Sequence, residues 1–321
     1  MRVYFTSPWI PAEWIKAHGL EPRGIWAAEE FCLDALALSA GVCGFAEAAV
    51  RFAQERVDSA VVFAASCDQL RRGFDAATVS GPARLFLFNL PATQNPNAKQ
   101  IYRSELERLG QFLLEQGGQA PAPANLRREM HHADLTRKRL LETAPSRPAR
   151  SFAEAAAKFH RDGSCSTAGP RTLEELVPLA LIGGPLCATQ FQLLDVIEAA
   201  GGRVALNGAE TGERSLTPSF EWDGNHDDPF TVLADGYFKN IVDVFQRPNA
   251  QLYSWMKSRL GVRRVRGIIL WQYTGCDLWR AETETLRESF GLPVLTLEAG
   301  TEAKPSAREV NRIQAFLETL K

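Results

Sequence analysis

The chain has 321 residues, of which 45% are hydrophobic and 23% are charged, an ordinary globular composition with room for about two domains. Its formal net charge of −2 gives no electrostatic basis for nucleic acid or an anionic membrane as the main partner. The first residues lack the apolar core of a signal peptide, and no apolar run is long enough to span a bilayer, so we expect a cytoplasmic protein.

The first part of the chain predicts strands that alternate with helices. Short apolar runs predict strands at 3–5, near 24–26, at about 60–65 and at 85–88. Helices are predicted around 13–18, from Cys43 onward and over about 98–116. This alternation indicates βαβ units and a mostly parallel sheet.

A connector follows, beginning where the alanine and proline repeat at 119–124 breaks the preceding helix. A basic helix is predicted over 125–142, and we expect Arg137, Lys138 and Arg139 at its surface. The neighbouring His131 and His132 point about 100° apart on a helix, so a solvated face is expected there rather than a metal site.

The second half repeats the pattern of the first. Strands are predicted at 179–182, 204–206, 267–273 and 293–297, with a helix at about 190–200. Residues 59–71 and 267–280 share one order of features: an apolar run, small or polar residues, Cys-Asp and a helical pattern. We therefore predict an α/β fold of two small domains, related as a degenerate repeat, each with a mostly parallel four-stranded sheet. The predicted units are 1–118, a helical connector at 119–177, and 178–321.

Three of the six cysteines fall where a helix is predicted to begin: Cys43, Cys67 and Cys276. Cys67 and Cys276 also follow buried strands, at the sheet edge where open α/β proteins bind ligands. A helix N-terminus stabilises a thiolate, so we expect lowered pKa values there. Three thiolates suggest an iron–sulfur cluster with one open iron, and a three-cysteine zinc site is the alternative that spacing does not exclude.

The other cysteines are weaker candidates. Cys187 lies at the carboxyl end of another predicted strand and is a further candidate ligand. Cys32 falls within a helical apolar pattern and Cys165 within the connector, so both are expected to be structural or incidental.

Several motifs in this order resemble the D-component family of 2-hydroxyacyl-CoA dehydratases, which includes the cluster subunits of benzoyl-CoA reductase. The resemblance extends from Tyr4 to Leu320 and rests on short motifs in both halves. They are Ser7–Ile15 with Ala17–Arg23, Ser66-Cys67-Asp68, Ile182–Pro185, Thr211–Arg214, Gly275-Cys276-Asp277 and Gly291–Glu298.

The resemblance implies a 4Fe–4S cluster held by Cys43, Cys67 and Cys276. It implies a paired assembly, with a homologous second subunit or a second copy of the chain, and an acyl-CoA substrate. It also implies a separate ATP-hydrolysing iron–sulfur activator, and the chain itself has no Gly-x-x-x-x-Gly-Lys-Ser/Thr loop. In dehydrating relatives one electron converts the thioester carbonyl to a ketyl radical that expels the hydroxyl group; in reducing relatives it attacks an aromatic ring.

Two other functions stay open. Many relatives carry an extra N-terminal helical segment, whereas this chain begins almost directly at the first strand. One branch of the family is a homodimer with a double-cubane 8Fe–9S cluster that reduces small molecules. The other alternative is a non-catalytic electron-relay subunit beside a catalytic paralogue.

Four further residues are candidates for the substrate site. Ser7, at the carboxyl end of the first strand, can hydrogen-bond a bound carbonyl or serve as a turn residue. Glu29, next to Glu30, is a candidate general base or part of a solvated helix face. Trp271 and Tyr273, just before Cys276, either line a substrate pocket or pack the core.

Overall fold

The computed structural model describes residues 1–28, 30–31, 41–80, 84–166, 175–224, 227–299 and 304–321. Strands and helices alternate in the first part of the chain. The elements are β1 (Arg2–Phe5), α1 (Ala12–Ala17), β2 (Glu21–Gly24), α2 (Gly44–Gln54), β3 (Ala60–Ala64), α3 (Asp68–Ser80), β4 (Arg84–Phe88) and α4 (Pro96–Glu115). Helix α4 begins where sequence chemistry favours it, because the Asn95 side chain accepts a hydrogen bond from the Ala98 N–H and Pro96 occupies the first turn.

Two connecting helices and a second alternating series complete the chain. The connecting helices are α5 (Pro123–Thr143) and α6 (Ala149–Asp162). The second series is β5 (Val177–Gly183), α7 (Gln192–Ala199), β6 (Gly202–Ala209), α8 (Pro229–Lys239), α9 (Ala250–Leu260), β7 (Gly267–Tyr273), α10 (Asp277–Ala281), α11 (Thr283–Phe290), β8 (Val294–Ala299) and α12 (Ala307–Thr319).

Both sheets are parallel and have the same topology. The first has the strand order β2-β1-β3-β4 and the second β6-β5-β7-β8. Strand β3 therefore corresponds to β7, and each is followed by a Cys-Asp pair, as the repeated segment predicts. The predicted α/β class with two four-stranded parallel sheets is confirmed.

In each sheet the first strand along the chain has its next two strands on opposite sides. From β1 the chain crosses to β2 on one side and returns to β3 on the other, and β5 is flanked in the same way by β6 and β7. Ligands bind in open α/β sheets at the carboxyl ends of strands at such a switch point. Strand β3, of sequence AVVFA, is completely buried, which fits a central strand covered on both faces.

The connecting helices pack on both parts of the molecule. Helix α5 contacts α1 and α8, and α6 contacts β2 and β6. The boundaries at residues 118 and 177 stay a prediction. None of the helices in the described ranges is long and apolar enough to cross a membrane.

Two sequence expectations are wrong in detail. The second strand ends at Gly24, and Ile25–Ala27 form a short 3₁₀ turn instead of continuing it. The turn directs Trp26 into the core, where its ring lies 5.5 Å from that of Phe5. Packing of the indole thus outweighs the apolar run that predicted a strand.

Arg137 is buried, although the basic run predicted it at the surface. Its Nη1 donates to Glu13 Oε1 at 2.6 Å and its Nη2 donates to Asp134 Oδ1 at 2.6 Å. Tyr237 completes the group by donating its hydroxyl to Glu13 Oε2 at 2.7 Å. Burial lowers the pKa of Arg137, but Glu13, Tyr237 and Asp134 more than offset this, so its net pKa is raised. The exposed neighbours Lys138 and Arg139 lie at the surface as expected.

Candidate functional site

Three helix N-termini from both halves of the molecule carry the predicted cysteines. Cys43 is the N-cap residue of α2, Cys67 directly precedes α3, and Cys276 is the N-cap residue of α10. Cys43 is buried, and Cys67 and Cys276 are half-buried. Strands β3 and β7 position the last two, because each cysteine lies three residues beyond the end of its strand.

The three thiols interact with one another electrostatically. Negative charge on Cys43 and on Cys276 each raises the pKa of Cys67, and charge on Cys43 also raises the pKa of Cys276. Such mutual effects require the sulfur atoms to lie in one region of the structure. The structure therefore brings together the three cysteines that the sequence singled out.

The expected lowering of the thiol pKa values is wrong. Burial raises the pKa of Cys43, raises that of Cys67 to about 12 and raises that of Cys276 to about 11. Helix N–H groups oppose this effect without overcoming it, since desolvation of a thiolate outweighs a few hydrogen bonds here. The free thiols are thus protonated at neutral pH, and binding a metal group would release protons.

Backbone N–H groups point at all three sulfur atoms. The Leu70 N–H donates to Cys67 Sγ at 3.5 Å, and N–H groups of Phe45 and Ala46 lower the pKa of Cys43. The Trp279 N–H acts in the same way on Cys276. Hydrogen bonds of this kind stabilise sulfur ligands and set the potential of iron–sulfur clusters.

The three thiols are a donor set that both iron–sulfur clusters and zinc accept. In the described ranges, no group of three or more His, Cys, Asp and Glu side chains is placed to hold one metal ion. A zinc ion holds its sulfur ligands at about 2.3 Å and would need the thiols in close contact. A cluster is larger and spans more widely separated thiols. The iron–sulfur cluster and the three-cysteine zinc site therefore both stay predictions.

Cys187 has different surroundings. It is completely buried, and its Sγ lies 3.5 Å from the Tyr273 hydroxyl. Its pKa is raised to about 12 by burial, with a further contribution from Glu210. Cys165 is half-buried in the connector, and Cys32 lies outside the described residues.

Ser7 contacts a residue that the sequence reasoning did not single out. Its hydroxyl donates to Glu210 Oε1 at 3.0 Å, and its Oγ also accepts from the Trp9 N–H at 3.5 Å, as a turn serine does. Glu210 directly follows β6, at the carboxyl edge of the second sheet, and its charge raises the pKa of Cys276, which follows β7 of the same sheet. That position, one residue beyond a buried strand, is the signal that the sequence offered for Glu210.

The backbone around Glu210 is hydrogen-bonded and closely packed. Its N–H donates to the carbonyl oxygens of Gly183 at 3.1 Å and Gly184 at 3.2 Å. Gly183 has a φ of +147°, and a Cβ there would lie 1.8 Å from the Trp271 carbonyl oxygen, so only glycine fits. Arg214 anchors the same turn by donating to the Gly183 carbonyl and to Asp243 Oδ2, the latter at 2.6 Å.

The two aromatic residues predicted to line the substrate site, Trp271 and Tyr273, are buried, and their polar groups form hydrogen bonds within the protein. Trp271 Nε1 donates to the Pro185 carbonyl at 3.2 Å, and the Tyr273 hydroxyl donates to Gln190 Oε1 at 2.9 Å. Trp271 borders a cavity of about 480 Å³. The Tyr273 ring lies 5.8 Å from that of Phe45 on α2 and so packs the two halves together.

Of the remaining residues, one lies outside the described ranges and two are exposed. Glu29 lies outside the described residues, and Glu30 is exposed beside Arg56 at 4.0 Å. His131 is exposed and stacks on Trp222, with ring centres 5.3 Å apart.

The fold and this site define a two-sheet α/β protein in which three cysteines at helix N-termini lie in one region. A family model described as 2-hydroxyglutaryl-CoA dehydratase, D-component, matches residues 9–320. The chain belongs to this family and is therefore a dehydratase-type subunit. No curated protein sequence matches it significantly.

Proposed function

We propose that this chain is the iron–sulfur subunit of an ATP-activated enzyme that dehydrates 2-hydroxyacyl-CoA thioesters. The observation that carries this proposal is the mutual electrostatic interaction of Cys43, Cys67 and Cys276, which come from both halves of the molecule. Family membership supports the reaction class.

In this proposal Cys43, Cys67 and Cys276 hold a 4Fe–4S cluster and leave one iron without a protein sulfur. When bound, the cluster supplies single electrons of low potential to the thioester. The chain's own contribution is positional: the helix N-termini stabilise the charge of the thiolates, and the buried Tyr273 and Phe45 keep water from one side of the site. Cys187, bonded to Tyr273, is not a ligand in this proposal.

The proposal includes partners. A separate ATP-hydrolysing iron–sulfur activator delivers the electron, because the chain has no phosphate-binding loop of the Gly-x-x-x-x-Gly-Lys-Ser/Thr type. A homologous second subunit, or a second copy of this chain, completes the enzyme. The family description as a D-component of a multi-part dehydratase supports this arrangement.

Iron and acid-labile sulfide analysis of anaerobically prepared protein tests the cluster. The 4Fe–4S proposal requires about four iron atoms and four sulfides per chain. Eight irons with nine sulfides per cluster would instead favour the double-cubane alternative. Protein without iron would contradict the proposal.

Reconstitution tests the reaction. The chain is combined with an activator, ATP, a strong reductant and a second cluster subunit, and formation of 2-enoyl-CoA is followed. We expect dehydration only with the complete mixture. Reduction of acetylene or azide without acyl-CoA binding would favour the double-cubane enzyme. A cluster-bearing chain that binds neither substrate would favour the electron-relay subunit.

A further inference from the structure

Glu210 and Ser7 form a direct contact between the two halves, within electrostatic reach of Cys276. The Ser7 hydroxyl follows β1, the Glu210 carboxyl follows β6, and the two are joined by a hydrogen bond of 3.0 Å. Ser7 is completely buried, whereas Glu210 keeps part of its surface exposed. The Ser7 hydroxyl therefore holds in place the carboxyl group of a residue that keeps part of its surface exposed.

Among the described residues, Arg214 acts on the Glu210 carboxyl through its charge and not through a hydrogen bond. The nearby guanidinium of Arg214 is occupied, because its nitrogens donate to Asp243 and to the backbone carbonyls of Gly183, Gly208 and Val242. Within the described ranges no Lys or Arg side chain hydrogen-bonds Glu210. A carboxyl bonded only by a serine hydroxyl is poorly stabilised as an anion.

The surroundings of Glu210 also favour the protonated form of its carboxyl. Burial raises its pKa to about 8, and the charge of Asp243 adds to this effect. Arg214 and the Ser7 hydrogen bond oppose it only in part. Cys187 and Cys276 also lie within electrostatic reach, since Glu210 raises the pKa of both. At neutral pH the group is thus an acid that still holds its proton.

Removal of water from a 2-hydroxyacyl thioester needs such an acid. The hydroxyl at C2 leaves poorly as hydroxide, and a positioned carboxylic acid contributes to steps of this type by about 10²–10⁴-fold. We propose that Glu210 is the proton carrier of the dehydration and that Ser7 is its positioning residue. This inference rests on the proposed function.

In this reaction Glu210 both donates one proton and recovers one. The C2–O bond breaks while the Glu210 proton moves to the departing oxygen, and water leaves. The resulting carboxylate then takes the proton from C3 as that C–H bond breaks, which restores the acid. The substrate loses one water, and the electron that initiates the reaction is returned, so no further oxidant or reductant is consumed.

Glu210→Gln tests the proposal, because the amide oxygen still accepts the Ser7 hydrogen bond but the side chain carries no acidic proton. In the reconstituted enzyme we expect turnover to fall at least about 100-fold, with KM changed less than about threefold and iron per chain unchanged. Glu210→Asp should recover part of the turnover. Glu284→Gln, an exposed carboxyl on α11, serves as the matched control and should leave turnover unchanged.

A second measurement does not depend on activity. The infrared absorption of a protonated carboxyl, followed against pH, should titrate near pH 8 in the wild type and be missing in Glu210→Gln. Ser7→Ala should move this midpoint upward, because it removes a hydrogen bond that favours the anion.

Two results would overturn the inference alone: normal turnover in iron-loaded Glu210→Gln, or a wild-type carboxyl that is already ionised at neutral pH. A wild type without iron, or one that dehydrates no 2-hydroxyacyl-CoA, contradicts the proposed function itself, and the inference is then lost with it.

Discussion

Two buried polar clusters join the halves of this molecule, and their chemistry differs. The arginine cluster is formed by charged and hydrogen-bonding side chains from α1, α5 and α8. Its members are Glu13, Asp134, Arg137 and Tyr237. The second cluster, called the cleft cluster, collects side chains from both halves that follow strands or begin helices. Its members are Ser7, Cys43, Cys67, Glu210 and Cys276.

The difference lies in how completely each buried group is paired. Glu13 accepts a charge-assisted bond from Arg137 and a second bond from Tyr237, so its anion is compensated inside the protein. In the described ranges, Glu210 is bonded by a serine hydroxyl and the three thiols by backbone N–H groups, with no hydrogen bond from a Lys or Arg side chain. Burial with full pairing makes a structural link, whereas burial with incomplete pairing leaves groups whose protons and sulfur atoms are available for chemistry.

Removal of Arg137 should have the largest effect on stability. Arg137→Met leaves the carboxylate of Glu13 buried without its cation, and both side chains are 3% exposed. We expect the free energy of unfolding to fall by about 3–5 kcal/mol, measured by anaerobic urea denaturation. Iron per folded chain should not change.

Two controls sharpen this test. Arg139→Met, at an exposed position on the same helix, should change stability by no more than about 0.5 kcal/mol. Adding Glu13→Gln to Arg137→Met should recover part of the loss, because no buried charge then stays unpaired. A loss below about 1 kcal/mol in Arg137→Met would mean that the arginine cluster is not a structural link.

Gly183→Ala should have the next largest effect and act on the cleft cluster. The alanine would adopt a φ of +147° and place its Cβ 1.8 Å from the Trp271 carbonyl oxygen. We expect a loss of about 2–3 kcal/mol in the same denaturation experiment. Gly261→Ala is the matched control, since φ is −67° and no atom lies within 4 Å, and it should gain about 0.4–1 kcal/mol. Equal stabilities for the two variants would contradict the close packing beneath Glu210.

The pH dependence of stability should show an effect that belongs to Glu210. Its pKa is raised from 4.5 to about 8 in the folded protein, so the folded state binds more protons than the unfolded state within that range. Stability that Glu210 contributes below this range is therefore lost as the pH rises through it. The free energy of unfolding of Glu210→Gln should fall less with rising pH than that of the wild type. Parallel curves for the two proteins would show that burial does not raise the pKa of the Glu210 carboxyl.

The strands of the two sheets and the positions of the cysteines could be predicted from the sequence, because local rules determine them. Buried strands such as β3 and β7 appear as continuous apolar runs, and a cysteine after such a run falls at the carboxyl edge of the sheet. The contacts of Arg137 and Glu210 were not predictable. Each depends on a partner more than 100 residues away, Glu13 and Ser7 respectively, and periodicity carries no information about such pairs. The thiol pKa values were mispredicted for a related reason, since burial is a property of the folded chain.

One measurement tests the central claim, that the three-thiol group holds the metal centre while similar buried thiols do not. Cys276 and Cys187 each follow a central strand of the second sheet and precede a helical turn, so their serine variants form a matched pair. Iron per chain is measured for both variants after identical anaerobic preparation. We expect Cys276→Ser, like Cys43→Ser and Cys67→Ser, to lose its brown absorption and most of its iron, and Cys187→Ser to keep both. Full iron in Cys276→Ser, or its loss in Cys187→Ser, would contradict the assignment.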